Sequence, residues 1–152
     1  MLKINILAIG KIKEKYILDG IEEYSKRLSK YIKLNIVQLQ EEVDNNTSID
    51  IESDRILNFL EKNKSFNILL DINGNKITSE KLAKKISDLT IQNSTISFII
   101  GGSKGVNEKV KKVCDYKLSF SDFTFPHQLF RLILLEQLYR AICIINNIKY
   151  HK

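Results

Sequence analysis

Several residue types are scarce in this chain of 152 residues. It has two cysteines, two histidines, one proline, one methionine and no tryptophan. Cys114 and Cys143 are far apart, and neither belongs to a CxxC pair or to a cluster with histidine. This pattern supports neither a disulfide framework nor a zinc site, so we expect buried free thiols and no metal. No Ser-His-Asp constellation can be assembled from the two histidines.

Long apolar runs are also missing. No segment approaches the run of about 20 apolar residues that a membrane span needs. The amino-terminal stretch has one lysine before an apolar strand and no small-residue cleavage site, which is not typical of a secretory signal. With 43% hydrophobic and 28% charged residues, the composition is that of a globular protein with a sizeable core. We expect a cytoplasmic protein with a single domain over residues 1–152 and no membrane partner.

The charge is basic. Lysine and arginine number 24 against 18 aspartates and glutamates, for a net charge of +6. Such a surplus favours a polyanionic partner such as RNA, although a mildly basic surface is also common without one. Six cations fall on one face of the first predicted helix, and that face is either a solvated surface or a contact for phosphates. They are Lys11, Lys13, Lys15, Lys26, Arg27 and Lys30.

Apolar periodicity alternates between strand and helix along the whole chain. The predicted strands cover residues 2–9, 34–39, 66–72, 95–100 and 116–120, and the predicted helices cover residues 14–31, 51–64, 78–92, 106–113 and 126–145. Thr78 or Ser79 is a plausible cap of the third helix. Residues 73–75, Asn-Gly-Asn, are a strong turn signal. This order predicts an α/β fold with a mainly parallel sheet that is flanked by helices on both faces.

Two loops follow the last two strands of this pattern. The first contains Gly101, Gly102 and Gly105, and the second covers residues 121–125. Ligands of open parallel sheets bind at the carboxyl ends of strands, so both loops are candidates to line one pocket. The spacing fits neither a P-loop, which needs Ser or Thr after Gly-Lys, nor a Rossmann fingerprint. The glycine cluster alone is as typical of a tight turn as of a ligand loop.

The last predicted helix carries polar residues on two stripes. His127 and Arg131 share one stripe, while Glu136 and Arg140 lie nearly opposite and form an intrahelical ion pair. Apolar residues fill both flanks, which predicts burial from two sides and a self-associating partner on one of them. By position alone, His127 is either a catalytic group at a pocket mouth or a helix-start histidine satisfied locally.

Several motifs in one order resemble the RlmH (YbeA-like) family of the SPOUT superfamily of methyltransferases. They are Leu70-Asp71 with Gly74, Ile100 to Gly105, Phe120 to Gln128, Glu136 to Ala141, the terminal Tyr150-His151, and two amino-terminal stretches at Gly10 and Gly20. The resemblance implies a homodimer and an α/β fold with a C-terminal trefoil knot. It also implies methylation of N3 of a pseudouridine in large-subunit ribosomal RNA, on assembled ribosomes.

The methyl donor implied by this resemblance is S-adenosylmethionine. Its implied contacts are Leu70, Gly101, Phe120, Ser121, Asp122, Phe123, Thr124 and Phe125. Asp122 and Phe123 differ from the residues usual in that loop of the family. Adenine can be held by main-chain groups and apolar walls, so glycines and shape matter more here than a charged side chain.

The motif assigns no catalytic base, so the catalytic candidates come from residue chemistry. His127 or His151 could remove or position the N3 proton, Arg131 could bind phosphate or the deprotonated base, and Tyr150 could stack on a base. The tail of one subunit could complete the site of the other. Two alternatives stay open: a non-catalytic RNA-binding dimer, and a knotted methyltransferase that acts on transfer RNA.

Overall fold

The computed structural model describes residues 1–152 and contains five strands and five helices in strict alternation. The strands are β1 (Lys3–Ile9), β2 (Lys33–Leu39), β3 (Phe66–Lys76), β4 (Thr95–Ile100) and β5 (Tyr116–Ser119). The helices are α1 (Lys15–Leu28), α2 (Ser48–Lys62), α3 (Ser79–Leu89), α4 (Glu108–Val113) and α5 (His127–Ile145). The predicted alternation is confirmed, and most boundaries agree within three residues.

All five strands form one parallel sheet in the order β2-β1-β4-β3-β5. The chain crosses between parallel strands through its helices, as parallel connections require. The predicted parallel sheet with flanking helices is therefore confirmed. None of the helices has the length and apolar character that spanning a membrane requires.

Two apolar clusters cover the two faces of the sheet. The larger joins α1, α3 and α5 to one face, and the smaller joins α2 and α4 to the other. The helix α5 packs between α1 and α3, so its two flanks are covered by neighbouring helices of the same chain. Leu129, Leu132 and Ile133 of α5 stay half-buried, with Leu132 beside Gly20 of α1 and Ile133 in a pocket shared with α3.

The interior strand β1, between β2 and β4, is buried on both faces, as its sequence predicts. One buried side chain in it is polar: Asn5 is fully inaccessible. Its amide donates to Ser97 Oγ at 3.2 Å and its carbonyl accepts from Asn35 Nδ2 at 3.1 Å. The polar group is therefore satisfied by the neighbouring strands, which removes most of the cost of burying it.

The prediction of a turn at residues 73–75 was wrong, because β3 continues to Lys76. Leu70 and Asn75 both pair with Leu118, so the intervening residues form a bulge against β5. A Cβ on Gly74 would lie 2.7 Å from the carbonyl carbon of Lys117, so a side chain would push the strands apart. The Asn-Gly-Asn signal thus marks a close main-chain approach inside a strand.

The structure also tests the predicted cap of α3 and the predicted free thiols. The Thr78 hydroxyl accepts from the Lys81 N–H at 3.1 Å, which confirms Thr78 as the cap of α3. Both cysteines are free, with Cys143 buried and Cys114 half-buried.

Candidate functional site

A cavity of about 420 Å³ opens at the carboxyl ends of β4 and β5, beside the bulge of β3 and the first turn of α5. It lies where parallel sheets bind their ligands. The two predicted loops both line it. Its lining is Leu70, Asp71, Ile72, Ile100, Gly101, Gly102, Ser103, Gly105, Leu118, Ser119, Phe120, Ser121, Phe123, Thr124, Phe125, Pro126, His127 and Phe130.

The glycine turn after β4 requires glycine at two positions for different reasons. A Cβ on Gly101 would lie 2.9 Å from the carbonyl carbon of Gly105, closer than side chains tolerate. Gly105 has a φ of +81°, in the left-handed region that favours glycine. Its N–H donates to the Gly102 carbonyl at 3.0 Å, which closes the turn. The turn thus presents bare main chain to the cavity.

The second wall is the loop from Phe120 to Pro126. Its aromatic rings pack on Phe130 of α5, with centroids 5.0 Å away for Phe120 and 5.8 Å away for Phe125. Within residues 121–125 no N–H donates to a main-chain carbonyl, and that of Phe123 donates to Ser121 Oγ. The loop therefore combines apolar surface with main-chain N–H groups that can bind a ligand.

Only two titratable side chains line the cavity, Asp71 and His127. The Asp71 carboxylate accepts from the Asn73 N–H at 2.9 Å, which orients it at the start of the bulge. His127 is half-buried and is the first residue of α5, directly after Pro126. A proton acceptor at this cavity must come from one of these two groups or from another chain.

Seven of the eight residues expected to contact the cofactor line the cavity: Leu70, Gly101, Phe120, Ser121, Phe123, Thr124 and Phe125. Asp122 is the exception, because its exposed carboxylate points away and pairs with Lys76. Sequence reasoning assigned no role to Asp71 or Phe130. Asp71 could have been included, since it directly follows Leu70 at the end of a buried strand.

The structure contradicts the hypothesis that Arg131 contacts phosphate. Its side chain is 2% exposed, and Nη2 donates to the carbonyls of Ile9 at 2.6 Å and Gly10 at 2.8 Å. Burial lowers the pKa of the guanidinium, an effect that Glu41 opposes. Nε and Nη1 have no hydrogen-bond partner. Arg131 therefore fixes the end of β1 against α5 and takes no part in lining the cavity.

The carboxyl-terminal tail packs on α5 in an ordered network. The Tyr150 hydroxyl donates to Glu136 Oε2 at 2.8 Å and lies 3.2 Å from the Tyr24 hydroxyl. The predicted ion pair is confirmed, with Arg140 Nη2 2.8 Å from Glu136 Oε2. Burial, together with the bonds to Tyr24 and Glu136, raises the pKa of the Tyr150 phenol. Tyr150 therefore stays neutral at physiological pH.

Both ring nitrogens of His151 are engaged. Nδ1 lies 3.0 Å from Arg140 Nη1, and Nε2 lies 2.6 Å from Glu80 Oε1. A guanidinium can only donate, so Nδ1 accepts and the ring proton is on Nε2, directed at Glu80. In this arrangement His151 has no free nitrogen with which to take a proton.

The four catalytic candidates do not meet within one chain. Arg140, which contacts the tail, follows His127 by 13 residues of helix. At about 1.5 Å per residue, this places Tyr150 and His151 about 20 Å along α5 from the cavity mouth. Of the four, only His127 lies at the cavity.

The cavity has the character of a small-molecule site. Its volume is within the range of small-molecule sites, and its walls combine apolar side chains with glycine main chain. No group of three or more histidine, cysteine, aspartate or glutamate side chains is arranged to hold a metal ion.

Comparison with known proteins agrees with this geometry. Residues 2–151 match a family model described as "Predicted SPOUT methyltransferase". A protein of Fusobacterium nucleatum named ribosomal RNA large subunit methyltransferase H is 57% identical over 155 residues, covering 99% of this chain and 100% of that relative. Proteins of the same name from Finegoldia magna and Acetivibrio thermocellus are 50% and 46% identical over 160 residues, with the same coverage.

A solved structure shares the fold. It is described as a probable methylase family protein from Haemophilus influenzae, with a TM-score of 0.59 over 98% of this chain and 70% of that chain. The identity is 15%, so this likeness concerns the fold alone.

Proposed function

Because the chain belongs to the SPOUT methyltransferase family, we propose that it methylates N3 of a pseudouridine in large-subunit ribosomal RNA, on assembled ribosomes. The names of its relatives support the RNA class. The observation that carries the proposal is the single cavity built by the glycine turn and the loop 120–126, with His127 at its mouth. Both walls are formed by segments in which the sequence carries the family-like motifs, which supports the proposal.

We propose S-adenosylmethionine as the methyl donor, which supplies a methyl group already activated on a sulfonium sulfur. Gly101 and the loop from Phe120 to Phe125 would hold the adenosine part through main-chain groups and aromatic walls. Leu70 would form the floor, where the bulge of β3 begins. The exposed Asp122 has no place in this contact set. Holding donor and acceptor in one closed geometry is the main contribution such a site makes to the rate.

His127 is the proposed proton acceptor. The N3 proton of the acceptor base must leave as the new N–C bond forms, and an imidazole at the cavity mouth can take it. Asp71, the other titratable group of the lining, already accepts from the Asn73 N–H. His127→Ala should therefore lower kcat by about 10²- to 10⁴-fold. Binding of the methyl donor should remain, because the main-chain groups of the loop stay in place.

The active unit in this proposal is a homodimer. The tail lies about 20 Å along α5 from the cavity of its own chain, and the surface of α5 around Leu129, Leu132 and Ile133 is apolar and only half-buried. An antiparallel partner placed on this surface would bring Tyr150 and His151 of each copy to the cavity of the other. Tyr150 would then stack on the target base, and removal of residues 150–152 should abolish methylation.

Mixing two inactive variants tests the shared site. In a mixed dimer of His127→Ala and a chain lacking residues 150–152, one site combines an intact cavity with an intact tail. Methylation should return to at most half the wild-type rate. If each chain completed its own site, mixing would restore nothing.

Three further features belong to the same proposal. A trefoil knot in the carboxyl-terminal part, one domain over residues 1–152 and a cytoplasmic location all follow from membership of a family that modifies ribosomal RNA.

Labelled S-adenosylmethionine tests the whole proposal. Purified protein would be incubated with the donor and with ribosomes or separated subunits from cells that lack the endogenous enzyme, and the labelled nucleotide would be mapped by mass spectrometry. We expect label at a large-subunit pseudouridine with intact ribosomes. Label in transfer RNA would contradict ribosomal RNA as the substrate. Ribosome binding without any label would favour a non-catalytic RNA-binding dimer.

A further inference from the structure

Three lysines of α3 line a groove of about 320 Å³ beside the edge strand β5. Lys81, Lys84 and Lys85 lie three and four residues apart on the helix, so their side chains share one face. Tyr116 of β5 forms the opposite wall, and Ile77 and Leu89 close the ends. None of these residues belongs to the cavity that holds the proposed methyl donor.

The groove lies near that cavity. An intermediate pocket of about 260 Å³ shares Leu118, Phe120 and Phe125 with the cavity and shares Ile77 with the lysine groove. Its other lining residues are Thr78, Ser79, Leu82, Ile133 and Gln137, so six of its nine lining residues are apolar. The intermediate pocket therefore lies between the proposed site of methyl transfer and the lysines.

The charge in the groove is net positive. Asp88 is its only acidic lining residue, and its carboxylate lies 2.9 Å from Lys84 Nζ. Both side chains of that pair are mostly exposed, so the pair contributes little and can open when a stronger anion arrives. Glu80, also on α3, is directed at His151. Two of the three lysines thus have no ion-pair partner in the groove.

One of these lysines is held in place by an aromatic ring. The ammonium of Lys85 lies 3.8 Å from the centroid of the Tyr116 ring and 6.0 Å from that of Phe66. A cation over the face of a ring is attracted by the ring's quadrupole, which orders a side chain that is otherwise mobile. Lys85 is thereby fixed at the mouth of the groove, with its charge available.

We infer that this groove binds the sugar-phosphate backbone of the RNA strand next to the methylated nucleotide. The inference rests on the proposed function and adds the path of the substrate to it. The apolar intermediate pocket would accept an unstacked neighbouring base, and the three ammonium groups would contact successive phosphates. A single target base gives a small enzyme little to bind, so such phosphate contacts supply affinity and orientation.

The test is a charge-neutral triple variant with a matched control. The variant is Lys81→Gln with Lys84→Gln and Lys85→Gln. The control is Lys33→Gln with Lys62→Gln and Lys112→Gln, three exposed lysines that line neither the groove nor the cavity. Both lose three positive charges, so a general effect of net charge is the same in each. Thermal melts and calorimetric binding of S-adenosylmethionine show that each variant is folded and keeps its cavity.

Two readouts separate this inference from the proposed function: the KM and kcat for ribosomes, and the salt dependence of binding to large subunits measured by sedimentation. We expect the groove variant to raise KM on the order of tenfold at fixed salt, with kcat and donor binding unchanged. The slope of log affinity against log salt should fall by about 2, since each lost contact with single-stranded RNA removes about 0.7. The control variant should stay close to wild type.

The possible failures are distinguishable. If the wild-type protein methylates ribosomes and the two variants have the same KM and salt dependence, the groove does not bind the RNA, and the proposed function stands. If the wild-type protein binds subunits through these lysines but does not methylate them, the groove assignment stands and the proposed function does not. A change of molecular mass by light scattering in the groove variant would also overturn the inference, because the lysines would then belong to an interface between copies.

Discussion

Gly101→Ala is the substitution for which the structure gives the sharpest expectation. The new Cβ would lie 2.9 Å from the carbonyl carbon of Gly105, 3.1 Å from its Cα and 3.0 Å from Cγ1 of Val106. Ordinary contact needs about 0.5 Å more, and two of these atoms belong to main chain that cannot rotate away. The turn must therefore move, and over-packing of this kind costs about 1–3 kcal/mol.

That cost should weaken the binding of the methyl donor, because Gly101 and Gly105 both line the cavity. Since 1.4 kcal/mol is a factor of ten, the affinity for S-adenosylmethionine should fall by about 5- to 150-fold in calorimetric titration. Ser103→Ala is the matched control. It changes the same turn but removes only exposed hydrogen bonds to Asp44, so its affinity should stay within about twofold of wild type. Equal affinity of Gly101→Ala and Ser103→Ala would refute the assignment of this turn to the donor site.

Three further predictions concern other parts of the chain. Arg131→Met leaves the buried carbonyls of Ile9 and Gly10 without this donor. The free energy of unfolding, measured by urea titration, should fall by about 2 kcal/mol. A more stable variant would show that the cost of desolvating the guanidinium outweighs its hydrogen bonds. Burial raises the pKa of the Cys114 thiol from 9.0 to about 11. Because the thiolate is the reactive form, the alkylation rate of Cys114 should keep rising with pH up to about 11. A midpoint of the rate–pH profile near 9 would contradict the burial of this thiol. The pKa of Glu80 is lowered from 4.5, first by its own main-chain N–H and then by His151. This carboxylate therefore stabilises the fold above pH 4.5, and the contribution is lost as the pH falls through the lowered pKa. If NMR finds that the Glu80 carboxyl titrates at or above 4.5, the tail is not held there.

Local patterns predicted the sheet and its helices because their signals act over a few residues. The continuous apolar run of β1 and the hydroxyl cap at Thr78 are both signals within one element. The bulge in β3 does not. It depends on the approach of Gly74 to Lys117, which is distant in sequence, and the Asn-Gly-Asn segment has the same local chemistry in a turn.

The candidate site residues also divide into those fixed by local signals and those fixed by distant contacts. Helical periodicity placed Arg131 correctly on the stripe of His127. The burial of its side chain, however, depends on the carbonyls at the end of β1, more than 120 residues away. Asp122 shares a loop with cavity residues, yet Lys76 of a neighbouring strand draws its carboxylate outward. His151 stands where a frayed tail is the usual expectation, and its contact with Glu80 spans 71 residues.

Reverse transcription of ribosomal RNA tests the central claim most directly, because a methyl group on N3 of pseudouridine blocks the base-pairing edge. Cells that lack the endogenous enzyme would express either the wild-type chain or Gly101→Ala, and large-subunit RNA would be scanned for stops and confirmed by mass spectrometry. The account predicts one strong stop at a pseudouridine with the wild-type chain and a much weaker stop at the same position with Gly101→Ala. Absence of the stop with the wild-type chain, or equal stops with both chains, would contradict it.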